Sequence, residues 1–116
     1  MSWFPRAKDI FGGGTPARTV AAAATLNVPD NAGYVYLTGT DTVTALVATP
    51  SSRGRMVIFQ QATGDAGTTT FTNTDNTTTA NLMDLGGSNR ALAATDVMVL
   101  YLRQDGSWIR LTNTDN

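Results

Sequence analysis

Thr95-Asp96-Val97-Met98-Val99-Leu100-Tyr101-Leu102-Arg103-Gln104-Asp105-Gly106-Ser107-Trp108-Ile109-Arg110-Leu111 is the stretch on which the reading of this chain turns. The run from Val97 to Leu102 is the strongest strand in the sequence, rich in the side chains that pack well on a pleated surface. Asp105-Gly106 marks a hairpin, because both residue types tolerate the positive φ of tight turns. Ser107 to Leu111 then returns antiparallel. One hairpin of this kind makes the rest of the chain worth reading for strands.

The same pattern extends upstream. Arg55-Met56-Val57-Ile58-Phe59-Gln60-Gln61 is a nearly continuous apolar run, as expected of a strand buried on both faces. Tyr34 to Thr38 is aromatic and β-branched, and Thr42 to Val47 alternates with a period of two. Thr68 to Thr72 and Asn81 to Leu85 are further short strands. Thr19 to Val28 reads as one strand, although Ala21 to Ala24 also permits a helical turn. Pro29 to Gly33, Gly39 to Asp41, Pro50 to Gly54, Gly64 to Gly67 and Gly86 to Asn89 supply the turns between them. Roughly eight short strands with close turns predict an all-β fold, a single jelly-roll-like sandwich or barrel.

Composition agrees. The chain has no glutamate and no histidine, Lys8 is its one lysine, and threonine is abundant. Helix faces favour Glu, Lys, Gln and Leu, whereas threonine suits strands and Asn, Asp and Gly suit turns. At 116 residues one domain is expected, small enough that association with further copies would stabilise it. A net charge of -1 argues against phosphate neutralisation as the main task, so no nucleic-acid partner is expected. No apolar run reaches the roughly 18–20 residues that span a bilayer, and the start lacks the layout of a secretory signal. No membrane partner is expected. The absence of cysteine removes disulfides and thiolate metal sites.

Residues 1–17 differ from the remainder, 18–116, which forms the β domain. Trp3, Phe4, Ile10 and Phe11 are interspersed with Arg6, Lys8 and Asp9, and Gly12-Gly13-Gly14-Thr15-Pro16 reads as a hinge. The segment is either a loose tail or an N-terminal arm that orders on contact. A second feature is an echo: Thr72-Asn73-Thr74-Asp75-Asn76 recurs as Thr112-Asn113-Thr114-Asp115-Asn116. It records two similar hairpins or convergent strand-end chemistry, and is too short to establish a solenoid.

Reaction chemistry has few candidates. Without histidine or cysteine, Ser-His and Cys-His constellations cannot be built from this chain. Asp30, Asp41, Asp65 and Asp105 sit beside turn residues, where a bond to the backbone accounts for them. Asp75 and Asp115 could ligate a hard cation, but calcium-loop spacing is missing. Gly12 to Thr15 lacks the ending of a phosphate loop. Trp108, Tyr34 and Tyr36 are candidates for a stacking surface, against a core or interface role. Asn76-Thr77-Thr78 matches a glycosylation acceptor by chance. No catalytic residue, cofactor or metal is expected, and the chain is expected not to be an enzyme.

The order of elements in the second half carries a family resemblance. Gly54 to Phe59, Thr69 to Thr72, Asn81-Leu82, Ala94 to Leu100 and Gly106 to Leu111 follow one another in a cadence covering about residues 33–112. It resembles the small β domains of tailed-bacteriophage virions, found in capsid decoration (cement) proteins and in tail fibres. The resemblance implies a homotrimer about a three-fold axis, set on the outer capsid surface of the virion after synthesis in the host cytoplasm. There it would bridge neighbouring copies of the major capsid protein and stabilise the head. Trp3, Phe4, Arg6, Lys8 and Phe11 of the arm are the expected capsid contacts. The alternative is a trimeric tail-fibre or baseplate domain that binds host carbohydrate. One β domain with a short arm, beginning at a Met1 that suggests a natural start, suits a free-standing cement protein better.

Overall fold

Alternation of small steps, apolar inward and half-covered outward, organises the central strands at 34–38, 56–61 and 97–102. The computed structural model describes residues 17–30, 32–62 and 67–114, with the backbone alone at 112–114. The expected arm, with its Trp3, Phe4, Arg6, Lys8 and Phe11, lies outside the described residues, as does most of the loop at 64–67. The strands are β1 (Arg18–Ala21), β2 (Thr25–Asn27), β3 (Tyr34–Thr38), β4 (Thr42–Val43), β5 (Ala45–Val47), β6 (Met56–Gln61), β7 (Thr69–Phe71), β8 (Met83–Asp84), β9 (Arg90–Leu92), β10 (Val97–Leu102) and β11 (Trp108–Thr114). Pro50–Ser52 forms a short 3-10 turn. The fold is all-β.

A six-stranded sheet in the order β1-β3-β6-β10-β11-β8 makes one layer, and the small sheets β2-β5 and β4-β7-β9 make the other. Between them lies one core. Val35 and Leu37 of β3, Val57 and Phe59 of β6, and Met98, Leu100 and Leu102 of β10 meet Leu26, Leu46, Val43, Phe71 and Leu92 from the small sheets. Phe59 is its hub: its ring stands edge-on to Phe71 at 5.6 Å and to Trp108 at 6.3 Å. Such aromatic pairs add about 0.5–1.5 kcal/mol beyond area burial.

Apart from the antiparallel β10-β11 hairpin, the strand senses are not those of a jelly roll. β1 lies parallel to β3, β3 to β6, β2 to β5, β4 to β7 and β8 to β11, whereas β6-β10, β10-β11 and β7-β9 are antiparallel. The first part of the chain therefore winds as stacked coils, each strand settling beside its counterpart from the preceding turn. This is solenoid-like stacking, unlike the antiparallel Greek keys of a jelly roll. The hairpin β10-β11 then lies antiparallel along β6 and closes that side.

Two breaks divide strands that the sequence reads as continuous. Thr19 to Val28 bends after Ala21, and Thr42 to Val47 bends at Thr44. Both bends share one carbonyl. The Ala24 oxygen accepts the Thr44 N–H at 2.8 Å, the Ala45 N–H at 3.1 Å and the Thr44 hydroxyl at 3.0 Å. That anchor sends β4 into one small sheet and β5 into the other.

The hairpin turn stands where the sequence placed it, with a different division of labour. Only Gly106 takes positive φ, at 89°, and its N–H donates to the Arg103 carbonyl at 3.0 Å. Asp105 works through its carboxylate, whose Oδ1 accepts the Ser107 N–H at 2.8 Å and the Ser107 hydroxyl at 2.6 Å. A side chain at position 106 would also crowd Ala80 Cβ and Arg53 Nη2, each 3.0 Å from an added Cβ. Gly106→Val is therefore expected to cost about 1–3 kcal/mol from backbone strain. Thermal unfolding checks this, and an unchanged midpoint would count against the turn.

The same turn predicts an acid response. The Ser107 hydroxyl, then the Ser107 N–H, hold the Asp105 carboxyl below its ordinary range, with smaller help from Arg103 and Arg53. A carboxyl whose folded pKa is depressed stabilises the fold above its unfolded value, near 3.9, and that stabilisation disappears as pH falls through the folded value. Urea titrations of the wild type should show this loss on acidification, and Asp105→Asn should show less of it. Superimposable pH profiles would contradict the assignment.

Candidate functional site

The other side of the large sheet is the surface that the core leaves over. β3, β6 and β10 each alternate fully buried residues with half-buried ones. Register groups the half-buried set into rows. Tyr34 pairs with Ile58, which pairs with Val99; Tyr36 pairs with Gln60, which pairs with Val97; Met56 pairs with Tyr101, which pairs with Ile109. None of these side chains is charged. Among the described residues no strand lies over them, because both small sheets occupy the opposite side.

The sequence signal for this face was present but read differently. The continuous apolar run at 55–61 predicted a strand buried on both faces, and the structure covers one face fully. The second face keeps the composition of an interior.

Its most polar corner is still internally satisfied. The Tyr34 hydroxyl donates to Gln60 Oε1, and the Tyr34 and Tyr36 rings lie 5.0 Å apart. Partial burial, and secondarily the neighbouring Tyr36, push the Tyr34 phenol above its usual range. It therefore stays protonated and donating at neutral pH.

The predicted stacking trio does not assemble. Trp108 is fully buried, and its indole N–H donates to the Leu46 carbonyl at 2.9 Å. Tyr34 and Tyr36 belong to the opposite, half-buried face. A sugar platform built on Trp108 is thus excluded, because the ring joins the two layers instead.

Of the turn aspartates, Asp105 makes the expected bond to the backbone, Asp30 bonds a side chain instead, and Asp65 lies outside the described residues. Asp84 Oδ2 accepts the Asn76 N–H at 3.1 Å and its Oδ1 accepts the Gly86 N–H at 3.1 Å. Asp96 is buried, and its Oδ2 accepts the Ala93 N–H at 3.1 Å. Asp30 accepts from the Thr49 hydroxyl at 3.0 Å. Asp75 accepts from Asn73 Nδ2 at 2.8 Å, within the first copy of the repeated pentapeptide. That copy forms a loop, whereas the second copy continues β11 through Thr114 and ends outside the described residues. The echo does not mark equivalent hairpins. Among the described residues, no three His, Cys, Asp or Glu side chains gather as a metal site, and no helix is long and apolar enough to cross a membrane.

One shallow groove of about 300 Å³ lies between the ends of β2 and β5, lined by Asn27, Val28, Val47, Ala48 and Thr49. It is lined by no titratable side chain. The half-buried sheet face is of another kind, uncharged and lined by Tyr34, Ile58, Val99 and Tyr101. Compared with known protein families, with characterised proteins and with solved structures, the chain matches none.

Proposed function

We propose that this chain is a structural, non-enzymatic virion protein: a homotrimer that decorates the outer surface of a bacteriophage head and bridges neighbouring major capsid proteins. One observation carries the self-association. The uncharged face bearing Ile58, Val99 and Tyr101 has the composition of a strand interior and stays partly exposed. Fully desolvated interface cores are depleted of charge and enriched in aromatics and methionine, which describes this face. The head location rests on the sequence resemblance, and with it the capsid contacts assigned to Trp3, Phe4, Arg6, Lys8 and Phe11.

A second reading, a trimeric tail-fibre or baseplate domain, draws on the stacked coils. Strands that repeat in parallel along one axis suit an elongating shaft. Its carbohydrate-binding form is weakened by the burial of Trp108.

Deleting residues 2–14 separates the roles. The shortened protein is expected to keep its β fold and its trimer, and to lose affinity for undecorated capsids, because truncating a central aromatic at an interface often costs about 2 kcal/mol or more. Quantitative capsid sedimentation reads the bound fraction. Undiminished decoration would remove the arm as anchor, and loss of the trimer would place the arm between subunits instead.

A further inference from the structure

Among the described residues the large sheet ends in two edges with no strand beyond them, and they match in sense. On one side β1 pairs with β3 alone. The Ala22 N–H donates to the Thr38 carbonyl at 2.7 Å, which sets the alternation of the ladder. In a parallel pair, every second residue turns both backbone groups toward the same neighbour. Val20 and Ala22 thus serve β3, while Thr19 and Ala21 turn their N–H and C=O groups outward.

On the far side β8 is two residues long and pairs only with Trp108 and Ile109 of β11. A bulge at Leu111 follows, because Leu100 pairs with Arg110 and Val99 with Thr112. Beyond it, residues 112–114 continue regular pairing with β10 and have no strand on their other side among the described residues. Leu111, at the start of this open stretch, is 51% exposed, the one large apolar residue so exposed among those described.

Open edges attract further strands, and natural sheets usually blunt them with lysine, proline or a covering segment. Arg18 opens β1, and the short β8 and the bulge at Leu111 blunt part of the far edge, but Thr19 to Ala21 and residues 112–114 carry neither charge nor proline. β1, β3, β6 and β11 all run in the same sense, with β10 opposed. A β1 strand from another copy, arriving at the β11 edge with its sheet facing the same way, would lie parallel to β11, as β8 already does.

We propose that copies of this chain join edge to edge, β1 of one adding in parallel to residues 112–114 of the next. The partner is a second copy because the two edges of one sheet are complementary in sense and similar in length. Head-to-tail contacts of this kind close into rings when the rotation allows. A ring about an axis along the strands that has the uncharged faces inward would bury edge and face together. The inference rests on the self-association proposed above and specifies how it is made.

Thr19→Pro tests it. Proline removes an N–H that β3 does not use, and edge strands accept proline at such positions. Thr19→Val keeps the N–H and serves as control. Native mass spectrometry at micromolar concentration should show the wild-type oligomer in Thr19→Val and at least tenfold weaker association in Thr19→Pro, with both variants folded by circular dichroism. A folded Thr19→Pro protein that assembles like the wild type overturns the edge pairing and leaves self-association through the face intact. A monomeric wild type overturns both.

Should Thr19→Pro fail to fold, cysteines decide the matter, since the chain has none of its own. In the ladder, residue 19 is registered with Tyr36 and residue 112 with Val99. An oxidised mixture of Thr19→Cys and Thr112→Cys single variants should give the mixed disulfide dimer. Its absence, with both variants oligomeric, overturns the proposal.

Discussion

Replacing Trp108 with alanine is expected to destabilise the protein by about 3–5 kcal/mol, the usual cost of truncating a fully buried tryptophan. Two effects combine at this position. The indole fills the space beside Phe59 at the junction of the layers, and its N–H satisfies the Leu46 carbonyl at 2.9 Å. Alanine leaves a cavity and an unpaired buried acceptor at once. For a domain of this size each kcal/mol moves the melting midpoint by about 4–8 °C, so the shift should exceed 10 °C. Trp108→Phe separates the contributions. It keeps most of the volume and loses the hydrogen bond, so a smaller loss of roughly 1–3 kcal/mol is expected. Chemical denaturation of both variants gives the two numbers. A midpoint within a few degrees of the wild type for Trp108→Ala would contradict the buried, layer-joining role.

Placing a charge at the centre of the outer face is expected to have the largest effect on assembly. Ile58 lies between Tyr34 on β3 and Val99 on β10. Ile58→Asp leaves the buried side of β6 untouched, so the separated chain should still fold, at a cost near the roughly 1 kcal/mol span of strand propensity. Within an interface the carboxylate would be desolvated and unpaired, a penalty on the order of 3–5 kcal/mol. Association should weaken by roughly a hundredfold or more, measured by sedimentation equilibrium across a dilution series. Unchanged association of the folded variant would show that this face is not where copies meet.

These two positions also mark what the sequence conveys and what it withholds. β3 and β10 fall on the boundaries that hydrophobic runs predict, because alternation is written locally in each strand. The β10-β11 hairpin was equally legible, since its turn must carry a residue that accepts positive φ, and Gly106 does. β9 went unread: Arg90-Ala91-Leu92 has no β-branched or aromatic residue, and its strand identity comes from pairing with Thr69 to Phe71. The parallel stacking of β1, β3 and β6 was not legible either. An alternating pattern is the same whether the neighbour runs parallel or antiparallel, and the choice is made by distant contacts.

The candidate surface was half visible for a related reason. Apolar runs at 56–59 and 97–102 announced that both faces of these strands need cover. They could not say that the small sheets would supply it for one face alone. Trp108 shows the converse. An aromatic residue on a strand has the same sequence signature whether it points to solvent, to a partner or to the interior. Only the position of β5, whose Leu46 carbonyl receives the indole N–H, decides among them.

The central claim, that this chain works as an assembly of identical copies, is tested most directly by the mass of the intact protein in solution. Native mass spectrometry at micromolar concentration should give a species of three times the 12.2 kDa chain mass. A spectrum containing only the single chain at that concentration would contradict it.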